Sequence, residues 1–252
     1  MSRIFSTAGM VLDRREHKEA DRLYIFLSPT MGKLEMLAKG GAKISAKLTP
    51  HLESLGVVKI LLVEGRRGLT IAGVDRLESF HTLALRPRAA LFARAGLSLT
   101  DILTRPHGAE SRLYEQTESW LRFLCGTGDE RLDTLSWFLH TLQCLAAAGY
   151  EPELGSCVEC RMPLVEGGWW SALRGGLLCE VCRDTQEGGG YKKIQKGTVR
   201  ALSFGLTHSL NEINRLERSA PVLSEIEEVV ETLLWAHAPV LPAVSLRQMV
   251  SC

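Results

Sequence analysis

The chain has 252 residues, 45% of them hydrophobic and 23% charged, with a formal net charge of +1. That is ordinary globular composition at a length that favours two domains over one. No apolar run approaches the ~18 residues of a membrane span, and the opening MSRIFSTAGMVLDRREHKE lacks the apolar stretch of a secretory signal, so a cytoplasmic protein with no membrane partner is expected.

Taken in chain order, the first 80 residues read as β-structure. Ser6 to Leu12, Leu23 to Leu27, Leu34 to Lys39, Val57 to Val63 and Leu69 to Val74 are short apolar or alternating runs. The polar stretches DRREHKEAD, SPTMG and EGRRG separate them as turns. Five short strands so close together predict a closed or nearly closed barrel, because closure removes exposed edges. Tyr24 and Phe26 flank Ile25 in an all-apolar run, which marks them as core rather than as a surface for stacking bases.

The same region is the basic part of the chain. Residues 1–80 carry 13 Lys+Arg against 9 Asp+Glu, while residues 151–252 carry 10 against 13. In KLEMLAKGGAKISAKLTP, Lys33, Lys39, Lys43 and Lys47 recur every four to six residues with only Glu35 against them. Lysines on a loop between barrel strands suit phosphate contacts, since a point charge needs no fixed geometry. Arg14, Arg15, Lys18 and Arg22 add charge at the first turn, diluted by Asp13, Glu16, Glu19 and Asp21. The connection holding the lysines also has room for a helical turn.

From about residue 84 the period becomes helical. Leu113, Trp120, Leu121 and Leu124 form one such pattern; Leu135, Phe138, Leu142 and Leu145 form another, capped by Asp129 before it and Gly149 after it. Two more helices are expected at roughly 197–217 and 222–237. The last has Ile226, Val229, Val230, Leu233 and Leu234 on one stripe and Glu225, Glu227, Glu228 and Glu231 mostly on the other. A GGG at 188–190 reads as a flexible link. The boundary falls near residue 80, giving a barrel domain over 1–80 and a helical domain over 81–252.

Into that helical domain, at about 155–185, is inserted CVECRMPLVEGGWWSALRGGLLCEVC. Cys157 and Cys160 are separated by eighteen residues from Cys179 and Cys182, inside the C-x₂-C-x₁₅₋₂₀-C-x₂-C pattern of a zinc site. Each pair can turn two sulfurs toward one ion, and two pairs complete a tetrahedron. Four thiolates leave no open position for water, so the zinc is expected to be structural. Trp169 and Trp170 are expected to cover this small domain.

No catalytic constellation stands out. His51-Leu-Glu53 matches the H-x-E of zinc deaminases, but Ser156 and Leu178 stand where proline would precede each cysteine pair. There is no G-x-S-x-G, H-E-x-x-H or phosphate-cradling G-x-x-x-x-G-K-[ST]. The expectation is a binding protein and not an enzyme. A zinc-ribbon adapter for a protein partner and a metal-dependent nucleic-acid enzyme are the other two classes.

The whole order resembles the RecO family of bacterial recombination mediators. The matching stretches are MVLDRREHKEADRLYIFLSPTMGKLEMLAKGGAKISAKLTPHLE, LHTLQCLAAAGYEPELGSCVEC and the second pair, CEVC. The resemblance implies an α+β protein: a five-stranded OB-fold barrel, then a helical domain carrying a zinc subdomain. It implies DNA repair and recombination, binding of single- and double-stranded DNA, and annealing of complementary strands. It also implies action with RecR to load RecA onto DNA coated by single-stranded-DNA-binding protein, in the cytoplasm at the nucleoid. On this resemblance Lys39, Lys43 and Lys47 fall on the family's basic loop.

Overall fold

The computed structural model describes residues 3–18, 20–43, 48–105, 108, 111–184, 191–216 and 219–237. The GGG at 188–190 and Lys47 lie outside them. The chain divides into two compact units, Met1–Gly126 and Thr127–Cys252.

In the first unit β1 (Arg3–His17), β2 (Asp21–Ser28) and β3 (Gly32–Ala38) form a meander, followed by the short helix α1 (Thr49–Glu53) and the hairpin β4 (Gly56–Gly65) and β5 (Gly68–Ser79). The strands close in the order β1-β2-β3-β5-β4. All pairings are antiparallel except β3 with β5, which is parallel through Met36↔Leu69 and Leu37↔Thr70. This is the five-stranded Greek-key barrel of an OB-fold. Its interior holds Tyr24, Phe26, Met36, Val58, Ile60, Leu62 and Ile71, with Leu52 of α1 packed among them. Both aromatics of β2 are fully buried.

Strand ends differ from the expectation where charge hides them. DRREH reads as the opening of a turn, yet β1 continues through it. Arg14 pairs with Tyr24, Arg15 with Leu23, Glu16 with Arg22 and His17 with Asp21, after a register shift between Val11 and Asp13. The side chains of Arg14 to His17 are exposed, so neither hydrophobic alternation nor turn chemistry reports the backbone ladder that holds them.

Two helices complete this unit, α2 (Pro87–Leu103) and α3 (Ser111–Gly126), after a 3-10 turn at His81–Leu85. Trp120 of α3 is fully buried. A Cβ at Gly96 of α2 would stand 2.2 Å from its ring, so glycine is what lets the helices approach this closely.

In the second unit α4 (Glu130–Ala147) is capped by Asp129, whose carboxylate accepts from the N–H of Arg131 and Leu132. Gly149, with φ +94°, follows its end. The expected stripe of Leu135, Phe138, Leu142 and Leu145 is buried, but so are Trp137, Leu139 and His140, so the helix is wrapped on all sides. Burial alone lowers the His140 imidazole to about 3, leaving it neutral.

Beyond the cysteine region come α6 (Lys196–Thr207) and α7 (Ala220–His237), both packed on α4. The expected helix at 197–217 is interrupted: His208 is extended (φ −116°, ψ 160°) and a 3-10 turn follows at Leu210–Arg215. The apolar stripe of α7 is buried as expected, yet Glu225 and Glu231 are buried with it. Glu225 has a reason, accepting from Thr198 Oγ1 at 2.6 Å and from the Gln195 N–H at 3.0 Å, so it caps the start of α6.

Candidate metal centre and nucleic-acid interface

The four-cysteine segment folds around β6 (Gly167–Ser171) and β7 (Gly176–Leu178), with α5 (Glu180–Asp184) after them and β8 (Lys192–Gln195) closing the sheet in the order β7-β6-β8. Cys157 and Cys160 sit on a tight loop. The Cys157 N–H donates to the Met162 carbonyl at 2.8 Å, the Arg161 N–H donates to the Cys157 carbonyl at 2.9 Å, and Arg161 takes φ +62°. Cys179 and Cys182 lie at the start of α5, where the Cys182 N–H donates to Cys179 Sγ at 3.4 Å. Two unrelated local structures thus present their sulfurs to one point.

All four Sγ atoms lie within 4.8 Å of one another. Cys160 Sγ and Cys179 Sγ are 3.8 Å apart. A disulfide needs about 2.05 Å, whereas sulfurs about 2.3 Å from a central ion in a tetrahedron stand ~3.8 Å apart. Four sulfurs this close together suit a four-thiolate metal site. Burial opposes ionisation of Cys157, but N–H groups of Cys160, Cys179 and Glu159 outweigh it and lower the thiol to about 6. Cys182 is raised to about 12, first by its contact with Cys179 and then by burial. Among the described residues this is the one cluster of metal-ligating groups.

Trp169 packs on the cysteines, beneath Arg183 at 4.1 Å, and its indole N–H donates to Glu180. Trp170, next along the strand, points the other way and donates to Thr232 of α7. Only the first of the two tryptophans covers the metal site.

The basic residues separate into two groups. Lys33 lies on β3, with its ammonium 2.5 Å from Asp101 Oδ1 and donating to the Asp101 carbonyl at 2.7 Å. Arg15 faces Asp13 at 3.3 Å and Asp101 at 3.8 Å. Arg14 and Arg22 converge on one carboxylate oxygen of Glu53, Arg14 at 2.6 Å, and Arg22 also reaches Glu16 at 3.7 Å. These four cations are engaged with carboxylates of their own unit.

Lys39 and Lys43 are exposed, and neither ammonium has a partner among the described residues. The backbone beneath them is tied down. The Gly40 N–H donates to Asp21 Oδ1 at 2.8 Å, the Ala42 N–H donates to the Ala20 carbonyl at 3.0 Å, and Thr49 Oγ1 donates to the Gly41 carbonyl at 2.8 Å. Two adjacent glycines suggest a freely moving loop; these bonds instead hold its first half against β2 and α1. Asp21 holds the backbone under the lysines and Glu53 holds Arg14 and Arg22, although in the sequence they look like dilution of the basic run and part of a chance tripeptide. That tripeptide shows no metal role: Glu53 is engaged by arginines, and His51 is exposed on α1.

Barrel order, exposed lysines on the β3–α1 connection and a closed four-thiol centre in a helical unit define an OB-fold protein with a metal ribbon. More specifically, the chain belongs to the RecO family: the profile described as "Recombination protein O N terminal" matches residues 1–80, and "Recombination protein O C terminal" matches residues 85–247. A "DNA repair protein RecO" from Dehalococcoides mccartyi is 29% identical over 224 residues, covering 88% of this chain and 86% of the relative. Proteins of the same name from Acetivibrio thermocellus and Heliobacterium modesticaldum are 26% and 28% identical, covering 88% and 91% of this chain and 87% and 83% of theirs. No helix among the described residues is long and apolar enough to cross a membrane.

Proposed function

We propose that this protein acts in DNA repair and recombination by binding single- and double-stranded DNA and annealing complementary strands without nucleotide hydrolysis. The observation that carries the reading is the pair of exposed, unpartnered ammonium groups at Lys39 and Lys43 on a hydrogen-bonded platform. Neutralised phosphates repel each other less, and a barrel with Tyr24 and Phe26 fully buried leaves base edges free to pair. Lys47 continues the same run of lysines in the sequence. Action with RecR, loading of RecA onto DNA coated by single-stranded-DNA-binding protein, and a cytoplasmic, nucleoid-associated location belong to the same proposal, which family membership supports.

In this reading zinc occupies the cysteine centre. Cys157, Cys160, Cys179 and Cys182 would hold it as thiolates, and it would supply folding energy to the ribbon rather than chemistry. A second reading, an adapter whose ribbon meets a protein partner, is favoured by the exposure of Val165 (70%), Leu173 (92%) and Val181 (70%) on the ribbon. Removing the ribbon separates them: loss of partner binding with DNA binding intact selects the adapter. Labelled single-stranded DNA titrated across a salt series tests the DNA reading, which expects a linear fall of log affinity with log salt; binding indifferent to salt would refute it.

A further inference from the structure

A cleft of about 450 Å³ opens in the first unit between β1, the end of α1 and helix α2, lined among others by Leu12, Arg14, Tyr24, Glu53, Arg94 and Ser98. We propose that this cleft takes a phosphodiester of a single DNA strand, and that Arg94 of α2 is the residue that binds it. The inference rests on the DNA-binding reading above and extends it beyond the barrel.

The three arginines of α2 and its approach differ in what they can offer a ligand. Arg86 donates to the Leu124 carbonyl at 2.7 Å, and Arg88 lies over the Phe92 ring at 5.7 Å. Arg94 is exposed and makes no hydrogen bond or ion pair among the described residues. The acidic groups of the cleft are already engaged. Glu53 faces Arg14 and Arg22, and Asp13 faces Arg15 while accepting from the Arg14 N–H. The charge left uncompensated in the cleft is therefore the guanidinium of Arg94, a group whose planar fork suits a phosphate.

Position relative to the lysines gives the strand a path. Thr49, the first residue of α1, is bonded to the lysine loop, while Leu52 and Glu53 at its other end line the cleft. Four rises of ~1.5 Å separate Thr49 from Glu53, roughly 6 Å along the helix. A backbone that crosses Lys39 and Lys43 and passes over α1 arrives at Arg94. Leu12, Leu52, Leu55 and Leu97 form apolar walls without an exposed aromatic ring, which suits a sugar-phosphate segment better than a stacked base.

The test uses the full chain and labelled oligothymidylate, with affinity measured across a salt series for wild type, Arg94→Gln, Arg94→Lys, Ser98→Glu and the Lys39→Glu/Lys43→Glu pair. Ser98 stands four residues after Arg94 on α2, so a glutamate there pairs with the guanidinium and withdraws it. Arg94→Gln and Ser98→Glu are each expected to reduce the slope of log affinity against log salt by about 0.7, one single-strand phosphate. Arg94→Lys keeps the slope, and unchanged melting temperatures show that the fold is intact. Wild-type slopes in both Arg94→Gln and Ser98→Glu, with the lysine pair still impaired, overturn the cleft and leave the DNA-binding reading standing. A wild-type chain that binds no single strand overturns both.

Discussion

Replacing Cys179 with serine probes what the thiol cluster contributes. The ribbon has almost no core of its own: Cys157, Leu178 and Cys179 are its buried cluster, with Val158, Leu164, Trp169, Cys182 and Tyr191 packed partly against them. At ~25 cal/mol per Å² so few side chains contribute only several kcal/mol, whereas a four-thiolate zinc site supplies on the order of 10–16 kcal/mol of apparent binding energy. Cys179→Ser removes one ligand and leaves a hydroxyl facing three thiolates. The expected outcome is loss of about one zinc per chain, counted by elemental analysis, together with a shift in the emission of Trp169, which packs on the cluster. Limited proteolysis should cut between 157 and 182 while the barrel unit survives. Ligand thiols titrate lower in the loaded fold than in the unfolded chain, so the metal's stabilisation is present at neutral pH and lost as pH falls. A metal-free variant with unchanged emission and unchanged protease resistance would refute the reasoning.

Other substitutions test the remaining elements. Lys39→Glu with Lys43→Glu removes two phosphate contacts, so the single-strand salt slope should fall by about 1.4 and the affinity lost between 50 and 200 mM salt should shrink by roughly sevenfold; the melting temperature should stay within about 2 °C, because both side chains are exposed. Asp21→Ala takes away the acceptor for the Gly40 N–H and should weaken binding about 2- to 10-fold with the slope kept, while Asp21→Asn, which retains an oxygen, restores it. Leu142→Ala, at a fully buried position of α4, should lower the stability of the second unit by about 2–5 kcal/mol in denaturant titration.

What is legible in the sequence follows from how each residue is held in place. Apolar or alternating runs mark the middles of all five strands, and the burial of Tyr24 and Phe26 follows from an uninterrupted apolar run. The end of β1 is invisible because Arg14 to His17 are held by backbone pairing to β2 and not by a buried face. Of the charged residues proposed for DNA, composition does not distinguish Lys33 from Lys39. Their fates depend on Asp101, sixty-eight residues after Lys33, which reaches it through the packing of α2 on the barrel. The cysteine spacing is legible because two short motifs fix their own geometry. Asp21, Glu53 and Arg94 carry no such local signal, and their roles emerge only where the chain returns on itself.

Duplex formation from two complementary labelled oligonucleotides, followed with protein and no nucleotide beside a spontaneous control, tests the proposed activity most directly. The account predicts a rate above the control at low salt that falls as salt rises and falls again when Lys39 and Lys43 are both changed to glutamate. A rate equal to the spontaneous one at low salt would contradict it.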